Sequence, residues 1–109
     1  LEIFYYLAVH NNIEPIIIDA NDLLDDPKRM ITKLCNRLDI KFTKRMLSWP
    51  AGKRESDGVW GPYWYENLYK STQFIAPSKK SINLKKSLLP IYRECLLNYN
   101  FLFDKRLKL

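Results

Sequence analysis

Between Trp49 and Phe74 the chain reads WPAGKRESDGVWGPYWYENLYKSTQF, a stretch that holds all three of its tryptophans and all three of its glycines. Lys53 and Arg54 stand beside Gly52, with Gly58 and Gly61 close behind and Trp60, Tyr63, Trp64 and Tyr65 following. These residue types suit a phosphorylated, ring-containing ligand. Glycine lets backbone N–H groups approach an anion, paired cations neutralise it, and flat aromatic side chains offer stacking surface. The same residues also fit a rigid loop leading into an amphipathic helix, with the aromatics in the core and the cations in water.

Other chemistry is sparse. No GxxxxGK[ST] phosphate loop, serine–histidine–acid set, CxxC or HExxH pattern occurs. The single histidine, His10, ends an apolar run without an acidic or thiol partner and reads as a helix-end residue. Asp19 and Asp22 follow the one β-branched run, where open α/β sheets place functional groups, but aspartates there also cap loops and start helices. Cys35 and Cys95 fall on apolar helix faces with no ligand at metal spacing, so both are expected to be buried free thiols. That usage suggests a reducing, cytoplasmic compartment. No metal site and no membrane span are expected.

The elements that would position this stretch are legible from pattern. At 109 residues the chain has the length of one domain. With 47% hydrophobic residues it is rich enough to pack rather than stay disordered. Its formal charge of +6 favours anionic partners. LEIFYYLAVH predicts a helix that is apolar nearly all round, hence buried, and that lacks a capping residue, as in a piece of a longer chain. PIIID, Pro15–Asp19, predicts a strand covered on both faces, of the kind found in parallel sheets. No second strand is evident to pair with it, so its neighbours are expected from absent sequence or another copy of the chain.

Asp26 as N-cap and Pro27 at the first helical position start a helix carrying Met30, Ile31, Leu34, Cys35 and Leu38 on one stripe. Residues 39–42 turn the chain, and a short helical turn at 43–47 leads into Trp49. Gly61 and Pro62 start a helix expected to run to 71 or 72, with Trp64 and Leu68 on one face. A polar loop at 76–83 precedes the longest helix, about 87–107, striped by Leu88, Tyr92, Cys95, Leu96, Tyr99, Leu102, Phe103 and Leu107 with Pro90 in its first turn.

The order of these pieces resembles a known family. IIIDANDLLDDPKRMITKLCNRLDIKF is similar to the strand, "(E/D)DLL", "dP" and "LC…LgI.F" passage in the C-terminal half of sulfotransferases with the P-loop-like fold. SWPAGKRESDGVWGPYWYENLYKSTQF follows it where that family has its W.AG.R..DG.W..YWY…ST.F block, and LLPIYRECLLNYNFLFDKRL resembles the family's terminal helix. The similarity runs from Pro15 to Leu107, and the aromatic block is its specific part.

The resemblance implies an α/β fold: the C-terminal portion of a P-loop-like three-layer parallel-sheet domain, mostly helical here with one strand. It implies sulfuryl transfer from 3′-phosphoadenosine 5′-phosphosulfate (PAPS) to a hydroxyl or amine, without a metal. In cytosolic members an Arg-Lys-Gly segment and a Gly-Asp-Trp-Lys-Asn stretch close over the donor and grip its 3′-phosphate. Gly52, Lys53 and Arg54, followed by Asp57, Gly58, Val59 and Trp60, are similar in composition, although cations and glycine are reordered and no Lys-Asn follows Trp60. By that likeness Gly52, Lys53, Arg54 and the Gly58 backbone would hold the nucleotide, with Trp60, Tyr63 and Trp64 forming one wall of the acceptor pocket. The family's sulfate-gripping loop, its other 3′-phosphate ligands and its catalytic base all lie upstream of this stretch, so no catalytic residue is assigned. Activity is then expected of a full-length sulfotransferase and not of these residues alone. The rival readings are a basic, mainly helical module that binds nucleic acid or protein through Lys79, Lys80, Lys85 and Lys86 or through Lys105, Arg106 and Lys108, and a protein that keeps the family architecture without its chemistry.

Overall fold

The computed structural model describes residues 1–76 and 81–109. Among them are six α-helices: α1 (Glu2–His10), α2 (Ala20–Asp25), α3 (Pro27–Arg37), α4 (Gly61–Trp64), α5 (Glu66–Lys70) and α6 (Leu89–Asp104). Short 3₁₀ turns span Lys44–Leu47, Glu55–Asp57 and Lys86–Leu88. Lys79 and Lys80 lie outside the described residues.

The α2–α3 hairpin follows the capping rules closely. The Asp19 carboxylate accepts hydrogen bonds from the amides of Asn21 (2.9 Å) and Asp22 (3.4 Å), which fixes the start of α2. Asp26 caps α3 through the Arg29 amide at 3.0 Å, with Pro27 in the first turn. At the other end Asp39 takes a left-handed φ of 54°, and the Ile40 amide reaches back to the Cys35 carbonyl at 2.9 Å. That closure is a Schellman motif with aspartate in the position glycine usually fills, and it turns the chain toward the 3₁₀ turn at Lys44–Leu47. Met30 and Cys35 of α3 are the two fully buried side chains among the described residues, and the Cys35 thiol lies 3.7 Å from the Met46 sulfur.

Pro15–Asp19 has no regular structure and no ladder partner among the described residues. Besides the Asp19 carbonyl, which accepts the Leu23 amide at 3.1 Å as α2 begins, its backbone link is the Leu107 amide, which donates to the Ile17 carbonyl at 2.8 Å. That link also explains why α6 stops at Asp104 instead of running to 107: beyond Lys105 the chain leaves the helix to reach Ile17. Side chains reinforce the seam. Arg106 Nε donates to Asp22 Oδ2 at 2.6 Å, both side chains about four-fifths shielded, and the guanidinium lies 3.4 Å from the Phe103 ring centroid. Tyr99 Oη donates to Asp19 Oδ2 at 2.8 Å, while Lys33 Nζ donates to the Lys108 carbonyl at 2.7 Å. Asp19 and Asp22 are therefore structural, and Arg106 is committed to an internal ion pair.

Three expectations are corrected here. Cys95 is exposed, unlike Cys35, because none of the described residues covers its face of α6. The apolar helix α1 is only partly shielded: Phe4 and Tyr5 meet Phe101 with centroids 5.7 Å apart, while Ile3 and Val9 stand in solvent. The helix expected from Gly61 to 71 or 72 breaks at Tyr65, whose backbone (φ −103°, ψ 15°) leaves the helical region while its half-buried ring meets Tyr69 edge-on at 6.2 Å.

The chain as a whole leaves much apolar surface uncovered. A compact protein of 13.0 kDa exposes about 6,300 Å², against 9610 Å² here. Its radius of gyration is 17.0 Å, where a compact domain of this length has about 13 Å.

Two outcomes follow from the seam between α2 and α6. Replacing Arg106 by Met in the complete protein keeps the aliphatic stem but strands Asp22, and urea denaturation should record a loss of about 1.5–3 kcal/mol. A loss below about 0.5 kcal/mol, the range of exposed pairs, would show that the seam is not stabilised this way. Partial burial pushes the Asp19 carboxyl up, but the hydrogen bonds from Tyr99 and the Asn21 and Asp22 amides outweigh it and hold the group below its ordinary 3.8. Its contribution to stability is thus complete above 3.8 and is lost as pH falls through the lower folded value. Tyr99→Phe should move Asp19 back up toward 3.8 in an NMR titration of its carboxyl carbon, and an unmoved midpoint would contradict the assignment.

Candidate functional site

The basic loop is held at its base by the segment that follows α5. The Trp49 amide donates to the Thr72 carbonyl at 2.9 Å, Ser48 and Gln73 form an isolated antiparallel bridge, and the Gly52 amide donates to the Tyr69 carbonyl at 2.8 Å. The Trp49 indole N–H donates to Ser71 Oγ at 3.1 Å, and its ring meets Phe74 edge-on at 5.1 Å. Ser71 Oγ in turn donates to the Leu68 carbonyl at 2.8 Å, so the hydroxyl serves as relay between loop and helix. These contacts fix where residues 50–58 begin.

Within the loop Gly52 (φ 110°) and Gly58 (φ 67°) occupy backbone conformations that a side chain would strain. Between them Asp57 Oδ2 accepts the Arg54 amide at 2.9 Å, and the Asp57 amide donates to the Arg54 carbonyl at 3.1 Å, closing the 3₁₀ turn. Asp57 also neighbours the Tyr69 phenol. Desolvation first, then the Asp57 carboxylate, hold that phenol above its usual value of 10.0. Gly61 is buried where these groups meet: a Cβ there would run into the Tyr69 hydroxyl and come within 3.1 Å of Asp57 Cβ. The third glycine is therefore a packing requirement rather than a ligand-facing one.

The structure separates the residues proposed from sequence. Arg54 borders an open hollow of about 530 Å³ whose other lining residues are Arg45, Ser48, Trp49, Pro50 and Leu68. Lys53 is exposed but does not line it, so the adjacent cations part company. The Gly52 and Arg54 amides are already spent on Tyr69 and Asp57, which leaves side-chain cations rather than these two N–H groups to meet an anion. Gly58 is exposed at the loop's far end.

Trp60, Tyr63 and Trp64 form a distinct solvent-facing cluster, 63%, 79% and 76% exposed, with the two indoles 5.8 Å apart. None of the three lines the hollow beside Arg54. Sequence reading missed Arg45 and Tyr69, and it named Asp57 as part of the family block without giving it a role. Nothing local marks Arg45, whose place at the hollow depends on the reversal at Asp39. The offset from Arg54 to Asp57 did carry a signal, since an acidic side chain three residues on commonly reaches back to a turn's first amide.

Among the described residues no three His, Cys, Asp or Glu side chains gather to hold a metal ion, and no helix is long and apolar enough to cross a membrane.

A family model described as a sulfotransferase domain matches residues 4–103, which includes the whole basic and aromatic loop. Branched-chain-amino-acid aminotransferase-like protein 2 of Arabidopsis thaliana is 42% identical over 88 residues, covering 81% of this chain and 16% of that protein. Branched-chain-amino-acid aminotransferase-like protein 1 of the same plant is 39% identical over the same shares. The chain thus spans about a sixth of the length of these curated relatives, whose names describe proteins made mostly of other sequence. No solved structure matches it significantly. With 4–103 matched end to end, and with the loop that carries the motif tied into the fold at Trp49, Gly52 and Asp57, this chain belongs to the sulfotransferase domain family.

Proposed function

We propose that this chain is the C-terminal part of a PAPS-dependent sulfotransferase domain, and that its Gly52–Gly58 loop holds the 3′-phosphate of the donor. The observation that carries the reading is the placement of Arg54 at the rim of a hollow walled by Trp49 and Pro50, within a chain of sulfotransferase sequence. A guanidinium presents a planar fork of donors that suits a phosphate dianion, and its position here is set by the Asp57 carboxylate bonded to its own backbone amide. Lys53, next in the chain and exposed, adds positive potential without a fixed contact. Gly52 and Gly58 contribute the two left-handed turns that present both cations on one short loop.

In the transfer itself the acceptor oxygen or nitrogen bonds to sulfur as the bond from sulfur to the bridging phosphate oxygen breaks. The bisphosphate leaves with the electron pair, and the acceptor proton passes to a base that the family resemblance places outside these residues. Fixing the nucleotide through its 3′-phosphate makes this step effectively intramolecular, which is the contribution assigned to Lys53 and Arg54. Trp60, Tyr63 and Trp64 supply one wall of the acceptor pocket. They are the apolar surface available to exclude water, which otherwise competes for the sulfuryl group.

The uncovered apolar area supports the matching proposal for the fold. In a P-loop-like three-layer α/β domain Pro15–Asp19 would be a strand between neighbours supplied by further sequence, and the open faces of α1 and α6 would be covered. Its three isoleucines are already half-shielded with one side served by Leu107, the state expected of a strand lacking its sheet.

Arg54→Ala in the complete protein tests the donor assignment. Losing one charge-assisted contact should weaken adenosine 3′,5′-bisphosphate by roughly ten- to a hundredfold in calorimetry. Unchanged affinity would reject the loop as the donor's phosphate site.

A further inference from the structure

The hollow beside Arg54 has a second cation that neither the motif nor the family description assigns. Arg45 comes from the 3₁₀ turn Lys44–Leu47, nine positions before Arg54, and both residues line the same open hollow of about 530 Å³. No carboxylate is among its lining residues, and among the described residues Arg45 takes part in no ion pair. The Arg54 guanidinium likewise has no ion-pair partner among the described residues, only a long 3.4 Å hydrogen bond from Nη2 to the Pro50 carbonyl, while Asp57 is bonded to the Arg54 backbone amide. Two arginines bordering one concave surface without a carboxylate raise the positive potential there, which favours a doubly charged anion.

The rest of the lining defines what the anion is attached to. Trp49 is held edge-on by Phe74 and by its indole N–H to Ser71, so it forms a fixed wall rather than a mobile side chain. With Pro50 and Leu68 it gives the hollow an apolar flank long enough for a ring. Ser48, at the isolated bridge to Gln73, adds a hydroxyl whose side chain has no hydrogen bond among the described residues.

We propose that Arg45 and Arg54 together clamp one phosphate monoester dianion, with Ser48 as a neutral donor and the attached ring system against Trp49 and Pro50. Resting on the donor reading above, this makes Arg45 the residue that lets the site distinguish a nucleotide bearing a 3′-phosphate from one without it. Because Arg45 is exposed and contacts no core residue through its charge, its replacement is not expected to disturb the fold.

The test is calorimetry on the complete protein with three probes: adenosine 3′,5′-bisphosphate, adenosine 5′-monophosphate and inorganic phosphate. In Arg45→Ala the bisphosphate should bind at least about tenfold more weakly while the monophosphate changes less than about twofold, and Arg45→Lys should recover part of the loss. Thermal unfolding of the ligand-free variants, with Arg45→Gln as a second neutral substitution, separates a binding loss from a folding loss. If Arg54→Ala weakens the bisphosphate but Arg45→Ala and Arg45→Gln do not, the two-arginine clamp is wrong and the donor reading stands. Equal weakening of both nucleotides by Arg45→Ala would also overturn it, since Arg45 would then not read the 3′-phosphate. Inorganic phosphate binding as tightly as the bisphosphate would remove the ring from the proposal. A wild-type protein with no affinity for the bisphosphate would overturn the clamp and the donor reading together.

Discussion

The anion site proposed at Arg54 requires a loop whose shape does not depend on the ligand. Four hydrogen bonds supply it: Trp49 to Thr72, the Trp49 indole to Ser71, Gly52 to Tyr69, and Arg54 to Asp57. Three of them tie the loop's base to the end of α5 and the segment after it, and the fourth closes its tip. Each uses a polar group that would otherwise need solvent, so the loop is folded before any ligand arrives and less ordering entropy is spent on binding. The cost is visible in the same atoms. Amides committed to holding the loop are no longer free to meet an anion, which in the proposed site leaves that role to the Arg54 guanidinium.

A second seam, between α2 and the end of α6, performs the corresponding task for the scaffold. Asp19 and Asp22 each act twice, once at the start of α2 and once as acceptor for Tyr99 or Arg106. In consequence the terminal residues 99–108 lie along the Ile16–Ile18 segment even though no sheet is present among the described residues. Elsewhere the packing is thin: α6 buries no residue fully, and its apolar residues Leu89, Ile91, Tyr92, Leu96 and Leu97 face solvent. An amphipathic helix gains most of its stability from burying such a stripe, so in the layered domain proposed above this is the face left to be covered.

Local chemistry was readable from the residues themselves. Asp26 followed by Pro27 announces the start of α3, and the spacing of Met30 and Cys35 announces which side packs. The turn at 39–42 was legible too, and its left-handed residue is Asp39. What pattern could not supply was anything that depends on a partner distant in sequence. Cys95 sits on an apolar stripe and was expected inside, but a stripe reports only which face would be buried, not whether a neighbour is present. The break at Tyr65 leaves no mark in the apolar spacing, since Trp64 and Leu68 keep helical periodicity across it. Arg45 reads as an ordinary surface cation until the chain reversal after α3 carries it to Arg54. Lys53 and Arg54, treated as a pair because they are adjacent, diverge for the elementary reason that neighbouring side chains in extended backbone point to opposite sides, and Arg54 itself is extended (φ −122°, ψ 146°).

The membership in a sulfotransferase family and the geometry of the loop converge on one claim, that the hollow between the Lys44–Leu47 turn and Gly52–Arg54 receives the donor's 3′-phosphate. A crystal structure of the complete protein with adenosine 3′,5′-bisphosphate measures this directly. The account predicts a 3′-phosphate oxygen at hydrogen-bonding distance, about 2.7–3.2 Å, from the Arg54 guanidinium, with Ile16–Ile18 paired inside a parallel sheet. A nucleotide bound elsewhere while this hollow holds only solvent would contradict it.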